Sequence, residues 1–98
     1  MIHSFADEPT ADLFRERNTR AARSVPHELW PVVQLQLKLK MIDVASQLED
    51  LLVPPGNRLE RLRGKLADRY SIRVNSQYRV TFQWKKGDAY EVRVEDYH

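Results

Sequence analysis

The chain has 98 residues, of which 42% are hydrophobic and 31% charged, so it suits one folded domain and not a disordered protein. It contains no cysteine, which excludes disulfides and thiolate metal sites. The charged residues within residues 32–52, the longest apolar-rich stretch, exclude a membrane span. Residues 1–5 show no signal peptide, so we expect a cytoplasmic protein. The net charge is only +2, but residues 55–79 carry seven basic side chains against two acidic ones, which favours a polyanionic partner.

Two helices are predicted in the first half of the chain, after a short apolar strand at residues 2–5. Residues 7–17 indicate a weakly amphipathic first helix. The second helix begins near Leu29 and is ended by the turn-forming run Pro54–Asn57. Its apolar residues follow spacings of three and four, which predicts a continuous stripe along one face. The stripe consists of Val33, Leu37, Met41, Val44, Leu48 and Leu51.

A second apolar flank runs along the same helix and is wider than contact with a single sheet requires. It consists of Leu35, Leu39 and Ile42. We expect this flank to pack against the first helix, because two apolar surfaces bury each other. The alternative is a partner protein that covers the flank.

From Leu59 onward, apolar and polar residues alternate, which is typical of half-buried antiparallel strands. Three strands are predicted, at residues 70–74, 78–84 and 90–94, with turns at residues 75–77 and 85–89. The expected fold class is therefore α+β, with two N-terminal helices packed on one face of a small, mainly antiparallel sheet. Residues 1–98 are expected to form this single domain.

The register of both hairpins follows from the requirement that the apolar residues share one face. A three-residue turn places Ile72 opposite Val80 and, on the polar face, Arg73 opposite Arg79. A five-residue turn then sets the register of the second hairpin. Its predicted pairs are Trp84 with Tyr90, Phe82 with Val92, Val80 with Val94 and Arg79 with Glu95.

Two arginines directly across a ladder repel each other, so this pair needs compensation. One interpretation is structural, with Glu95 completing an Arg–Glu–Arg row. The functional interpretation is that Arg73 and Arg79 bind phosphate oxygens. Tyr97 falls on the same polar face, whereas Asp96 alternates with it and is expected to support the site.

A strand that ends the chain on a carboxylate, a phenol and an imidazole presents three groups that can transfer protons. Cleavage of a phosphodiester needs a base, an acid and cationic donors aimed at the charge of the transition state. The candidates for proton transfer are Glu60, Asp96, Tyr97 and His98. The sequence contains neither a metal-ligand spacing nor a glycine-rich phosphate loop, so we expect no metal and no cofactor.

Five segments together resemble the HigB toxins, the host-inhibition killer proteins of the RelE/ParE toxin superfamily. The segments are Pro54–Glu60, Leu62–Gly64, Tyr70–Asn75, Gln77–Val80 and Glu95–His98. The resemblance extends over nearly the whole chain and is specific in combination. It implies a compact RelE-like fold and a toxin of a type II toxin–antitoxin system that acts as a ribosome-dependent mRNA endonuclease and inhibits translation.

The resemblance also implies the chemistry and the partners of such a toxin. Cleavage in the 30S decoding site would proceed through metal-independent attack of a 2′-hydroxyl and give a cyclic phosphate. The implied partners are the ribosome, mRNA and a HigA-type antitoxin with a helix-turn-helix domain. Operator DNA would be contacted only through that antitoxin, and no membrane is involved.

The family's site residues are carried over by position. Its terminal Asp-Tyr-His falls on residues 96–98, and its paired arginines fall on Arg73 and Arg79. A family position occupied by His or Glu falls near Glu60 or Arg61, which makes Glu60 an acid–base candidate. The basic residues expected to bind rRNA and mRNA are Arg58, Arg61, Arg63, Lys65 and Arg69.

Two alternatives use the same scaffold. Gyrase-targeting, ParE-like toxins generally lack the catalytic His and Tyr, so Tyr97 and His98 argue against that function. The other alternative is a non-enzymatic inhibitor that binds RNA or the ribosome through the basic residues. It predicts that replacing Arg73 or Arg79 weakens binding about as strongly as any other basic mutation, whereas an enzyme loses rate instead.

Overall fold

A computed structural model describes residues 1–15, 30–62 and 69–96 of the chain. In this part of the chain, two helices pack on a four-stranded antiparallel sheet of order β1-β2-β3-β4, which confirms the predicted α+β class. Neither helix is long and apolar enough to cross a membrane. The elements are α1 (Glu8–Arg15), α2 (Trp30–Val44), β1 (Glu60–Arg61), β2 (Arg69–Arg73), β3 (Tyr78–Lys85) and β4 (Asp88–Asp96).

The predicted N-terminal strand forms two parallel bridges at the outer edge of β4, where Ile2 lies opposite Ala89 and Phe5 opposite Val92. The terminal ammonium of Met1 lies 3.2 Å from Asp88 Oδ1, and its hydrogen bond holds the pKa of that carboxyl below its usual range. The N-terminus therefore covers an edge strand that would otherwise present unpaired backbone groups.

Helix α2 ends at Val44, although the sequence predicted a helix as far as Pro54. The Asp50 carboxylate accepts hydrogen bonds from the backbone N–H groups of Ser46 and Gln47, at 3.0 and 3.2 Å. These contacts stabilise a bend, after which a 3-10 helix spans Leu48–Leu52. The prediction was wrong here because a 3-10 turn also repeats every three residues, so the apolar spacing continues through the break.

The bend gives Asp50 a pH-dependent contribution to stability. Hydrogen bonds from the Gln47 and Ser46 backbone lower the pKa of its carboxyl. The stabilisation is therefore present at neutral pH and is lost as the pH falls through the lowered folded-state pKa. We expect Asp50→Ala to unfold at less urea than wild type at neutral pH and at the same urea in strong acid. Glu49→Ala is the control, and an Asp50→Ala deficit that persists unchanged in acid would contradict this assignment.

The predicted apolar stripe is only partly buried, because the second flank is the one through which α2 faces the sheet. Leu51 of the stripe belongs to the core, and Met41 and Leu48 pack against it. Leu39 and Ile42 are fully buried and belong to one core cluster with Ile72, Val80, Phe82 and Val92. In contrast, Leu37 and Val44 of the predicted stripe are 59% and 62% exposed. Apolar residues occupy positions all round this helix, so spacing alone does not single out the buried face. A partner protein is not needed to cover the flank.

A pair of matched substitutions tests this corrected orientation of α2. Leu39→Ala removes a fully buried side chain and should lower the free energy of unfolding by about 2–5 kcal/mol. Leu37→Ala removes the same atoms from an exposed position, and we expect a change within about 0.5 kcal/mol. Urea denaturation measures both values, and equal losses would show that the assigned face is wrong.

The β2–β3 register is as predicted, with Ile72 opposite Val80 and Arg73 opposite Arg79. Val74 N donates to Tyr78 O at 3.0 Å, which closes the predicted three-residue turn.

The register of the β3–β4 hairpin differs from the prediction near its turn. The turn has two central residues, Lys86 and Gly87, both with positive φ, and Trp84 lies opposite Ala89 instead of Tyr90. A register shift in β4, with Glu91 at φ 52, adds one residue and restores the predicted pairs of Val80 with Val94 and Arg79 with Glu95. The predicted pair of Phe82 with Val92 falls at this shift.

Candidate active site

The two arginines of the candidate site lie on the face of the sheet opposite the hydrophobic core. Arg73 and Arg79 lie directly across the β2–β3 ladder on that face. The adjacent row of the same face pairs Ser71 with Thr81, which are 0% and 1% exposed. The arginine pair therefore lies beside two buried hydroxyl groups that are shielded from solvent.

Two oxygen atoms of the described residues accept hydrogen bonds from Arg79. Its Nη1 donates to Ser71 Oγ at 3.0 Å and to Glu60 Oε2 at 3.3 Å. The Arg79 side chain is only 15% exposed, whereas that of Glu60 is 55% exposed. The pair joins a partly desolvated guanidinium to a carboxylate that solvent or a ligand can reach.

The short strand β1 brings Glu60 to this place. Its two residues pair with β2, which puts Glu60 opposite Ser71 and in the same row as Thr81. Glu95 lies opposite Arg79 on β4, at the other side of the arginine pair. Glu95 thus continues the arginine row, as the structural interpretation expected, and Glu60, which lies in the adjacent row, adds an ion pair with Arg79 that the sequence did not predict.

A buried amide fixes the segment that leads into β1. Asn57 is 0% exposed, and its Nδ2 donates to the backbone oxygens of Leu51 and Val53, at 3.2 and 3.4 Å. Lys38 on α2 donates to the Asn57 side-chain oxygen, and partial burial lowers the pKa of this ammonium. The segment is thus anchored to the helical layer just before it delivers Glu60 to the sheet.

Arg73 is held by the β2–β3 turn. Its Nε donates to the backbone oxygen of Asn75 at 3.1 Å. The Asn75 side-chain oxygen accepts from the N–H groups of Gln77 and Tyr78, at 2.8 and 2.9 Å, which fixes the turn. The two arginines are therefore held by different groups, one within the sheet and one at its end.

Asp96 belongs to the opposite face from Arg79 and Glu95. It pairs with Tyr78 at the end of β4, and its Oδ2 accepts from Gln77 Nε2 at 3.1 Å. This contact anchors the end of β4 to the turn that holds Arg73. Tyr97 and His98, the other two terminal candidates, lie outside the described residues.

The residues expected to bind RNA separate into three groups. Arg58 and Arg61 are exposed, Arg58 in a left-handed conformation with φ 46. Arg69 is anchored instead, because its Nη2 donates to Thr81 Oγ1 at 3.1 Å and to Glu91 O at 2.9 Å. Arg63 and Lys65 lie outside the described residues.

Sequence reasoning missed Ser71 and Thr81, which receive the hydrogen bonds of Arg79 and Arg69. Their alternation with apolar neighbours placed them on the polar face, but nothing in the sequence indicated that they would be buried and would accept hydrogen bonds from arginine side chains. In residues 1–15, 30–62 and 69–96, no group of three His, Cys, Asp or Glu side chains is arranged to hold a metal ion.

Comparison with known proteins yields a family and several relatives. Residues 3–98 match the family described as RelE-like toxin of type II toxin-antitoxin system HigB. Endoribonuclease HigB of Proteus vulgaris is 34% identical over 102 residues, which cover all of both chains. Toxin HigB-1 of Vibrio cholerae serotype O1 is 54% identical over 52 residues, or 53% of this chain and 55% of that protein. A Haemophilus influenzae protein is matched at 40% identity over 62% of its length.

The match to the Vibrio relative thus spans only about half of that protein's length, and the match to the Haemophilus protein spans less than two thirds. Among solved structures, the YoeB-YefM complex from Staphylococcus aureus superposes with a TM-score of 0.58 at 16% identity, covering 100% of this chain and 98% of the matched one. At this identity the likeness concerns the fold.

Proposed function

Because the chain belongs to the HigB-like family of RelE-like toxins of type II toxin–antitoxin systems, we propose that it is an endoribonuclease that cuts mRNA on the ribosome and so inhibits translation. The observation that carries this proposal is the arginine pair on the polar face, with Arg79 in contact with the Glu60 carboxylate. Cationic donors beside a group that can accept a proton are what phosphodiester cleavage requires.

In the proposed reaction, the 2′-hydroxyl of one nucleotide attacks the adjacent phosphorus. A base removes the proton of this hydroxyl as the new oxygen–phosphorus bond forms, and an acid protonates the 5′-oxygen as its bond to phosphorus breaks. The products are a cyclic phosphate and a 5′-hydroxyl, so atoms and charge balance without a metal ion. Arg73 and Arg79 stabilise the negative charge that grows on the phosphate oxygens.

Proton transfer is assigned to His98 and Tyr97, with Glu60 as a third candidate beside Arg79. Asp96 supports the end of the chain through its hydrogen bond with Gln77. The residues assigned to the backbones of rRNA and mRNA are Arg58, Arg61, Arg63, Lys65 and Arg69.

The proposed partners follow from the family. An antitoxin partner is supported by the structural neighbour, which was solved as a YoeB-YefM complex. We assign to this toxin a HigA-type antitoxin with a helix-turn-helix domain, through which alone the toxin reaches operator DNA. The proposed site of action is the 30S decoding site, in the cytoplasm.

Mapping of mRNA 5′ ends after induction of the chain tests the proposal. New ends should appear inside translated reading frames within minutes. The matched control is the same message without its start codon, which should stay intact because it does not recruit translating ribosomes. Cleavage of both messages alike would contradict ribosome dependence, and growth arrest without new ends would favour the non-enzymatic or the gyrase-targeting alternative.

A further inference from the structure

Ser71 is the most deeply buried polar residue next to the arginine pair. It is 0% exposed, it lies on the polar face between Glu60 of β1 and Thr81 of β3, and its hydroxyl accepts from Arg79 Nη1 at 3.0 Å. A buried hydroxyl that lost this partner would be left unsatisfied, so the contact constrains both groups.

The hydrogen bond between Ser71 and Arg79 holds Arg79 in place against the repulsion between two arginines that lie across a ladder. An arginine side chain has several rotatable bonds, and repulsion from Arg73 favours conformations that turn Arg79 away. Ser71 and Glu60 both accept from the same nitrogen, Nη1, so they set the position of that end of the guanidinium.

The two acceptors differ in charge, and this difference separates their roles. Glu60 neutralises Arg79, whereas the Ser71 hydroxyl holds it without reducing its positive charge. A neutral, buried acceptor is thus suited to orient a cation whose charge is needed by a phosphate.

We propose that Ser71 is a positioning residue that fixes the guanidinium of Arg79 for transition-state stabilisation. The inference rests on the proposed endoribonuclease function and adds a residue to its site. Ser71 acts through Arg79, and it has no assigned contact with the RNA.

Single-turnover cleavage of mRNA on programmed ribosomes tests the proposal with Ser71→Ala. The rate at saturating ribosome should fall about tenfold, because a misplaced catalytic group loses part of its effect. The ribosome concentration that gives half the maximal rate should change less than about twofold, because the variant removes no contact that binds the ribosome before the reaction. Ser71→Thr, which keeps the hydroxyl, should restore most of the rate.

Thr10→Val provides the matched control. Thr10 is 2% exposed on α1, and its hydroxyl accepts from the backbone N–H of Val94 at 3.0 Å, so it is a buried hydroxyl bonded to no arginine of the site. Both variants remove one buried hydroxyl, so similar shifts in unfolding temperature are expected, and cleavage is assayed well below that temperature. A rate loss confined to Ser71→Ala then reports on Arg79 and not on general stability.

A double-mutant cycle completes the test. In an Arg79→Ala background, Ser71→Ala should cause no further loss of rate, because the positioned group is already absent. The inference is overturned if Ser71→Ala cleaves at the wild-type rate, if Thr10→Val loses as much rate as Ser71→Ala, or if the losses of Ser71→Ala and Arg79→Ala multiply in the double variant. In each of these cases a large loss in Arg79→Ala alone would leave the proposed function standing, whereas wild-type protein that does not cleave would overturn the function itself.

Discussion

Deletion of His98 should reduce the rate of mRNA cleavage by about two to four orders of magnitude, the usual contribution of general acid–base catalysis. An imidazole suits this task because its unperturbed pKa, ~6.5, lies near the working pH. The deletion removes only the last residue, and the pairing of β4 up to Asp96 lies on the N-terminal side of it. The readouts are in-cell mRNA cleavage and growth inhibition.

His3→Ala is the control for this deletion. His3 Nε2 lies 3.2 Å from Asp88 Oδ2, and its ring stacks on Tyr90 with a centroid separation of 5.1 Å, so its contacts are those of the N-terminal edge. We expect this variant to retain cleavage. Growth inhibition and mRNA cleavage that persist after deletion of His98 would contradict the assigned chemistry.

Replacement of Arg79 by alanine should lower the rate of cleavage by about 10²–10³, comparable to removal of one donor that stabilises a developing oxyanion. The affinity for the ribosome should change little, because an interaction made only in the transition state contributes to rate and not to binding. Single-turnover rates and ribosome-binding constants measured on the same preparations separate the two effects.

Arg58→Ala is the comparison for Arg79→Ala. Arg58 is exposed and is assigned to contacts with the RNA backbone. Its loss should therefore weaken binding to the ribosome without lowering the rate of the chemical step. If both variants weaken ribosome binding to the same extent and neither changes the rate of cleavage, the chain is a binding inhibitor, and the enzymatic mechanism is wrong.

The sequence predicted those parts of the sheet that depend on alternation alone. An odd number of turn residues, which the shared apolar face of the two strands requires, was sufficient to pair Arg73 with Arg79. The structure confirms that pair. The β3–β4 hairpin required two further facts, a two-residue turn at Lys86–Gly87 and the register shift near Glu91, which alternation does not reveal. The predicted register was therefore wrong by one residue near the turn, and the extra residue at the register shift made it correct again farther along β4.

The candidate site was only partly predictable for a related reason. Glu60 reaches Arg79 because a two-residue strand pairs with β2 after a segment anchored by Asn57, and this arrangement depends on tertiary contacts. The hydrogen bond between Arg79 and Ser71 depends on the conformation of a long side chain, which no sequence period encodes. The buried face of α2 was missed because the whole helix is rich in apolar residues.

The most direct test of the central claim is cleavage of an mRNA that carries a single 2′-deoxy nucleotide immediately 5′ of the scissile phosphate. The message is placed in the decoding site of purified ribosomes, and its all-ribose counterpart serves as the control. We predict cleavage of the all-ribose message, with a cyclic phosphate at the new end, and no cleavage at the substituted position. Equal cleavage of both messages would contradict attack by the 2′-hydroxyl and with it the roles assigned to this site.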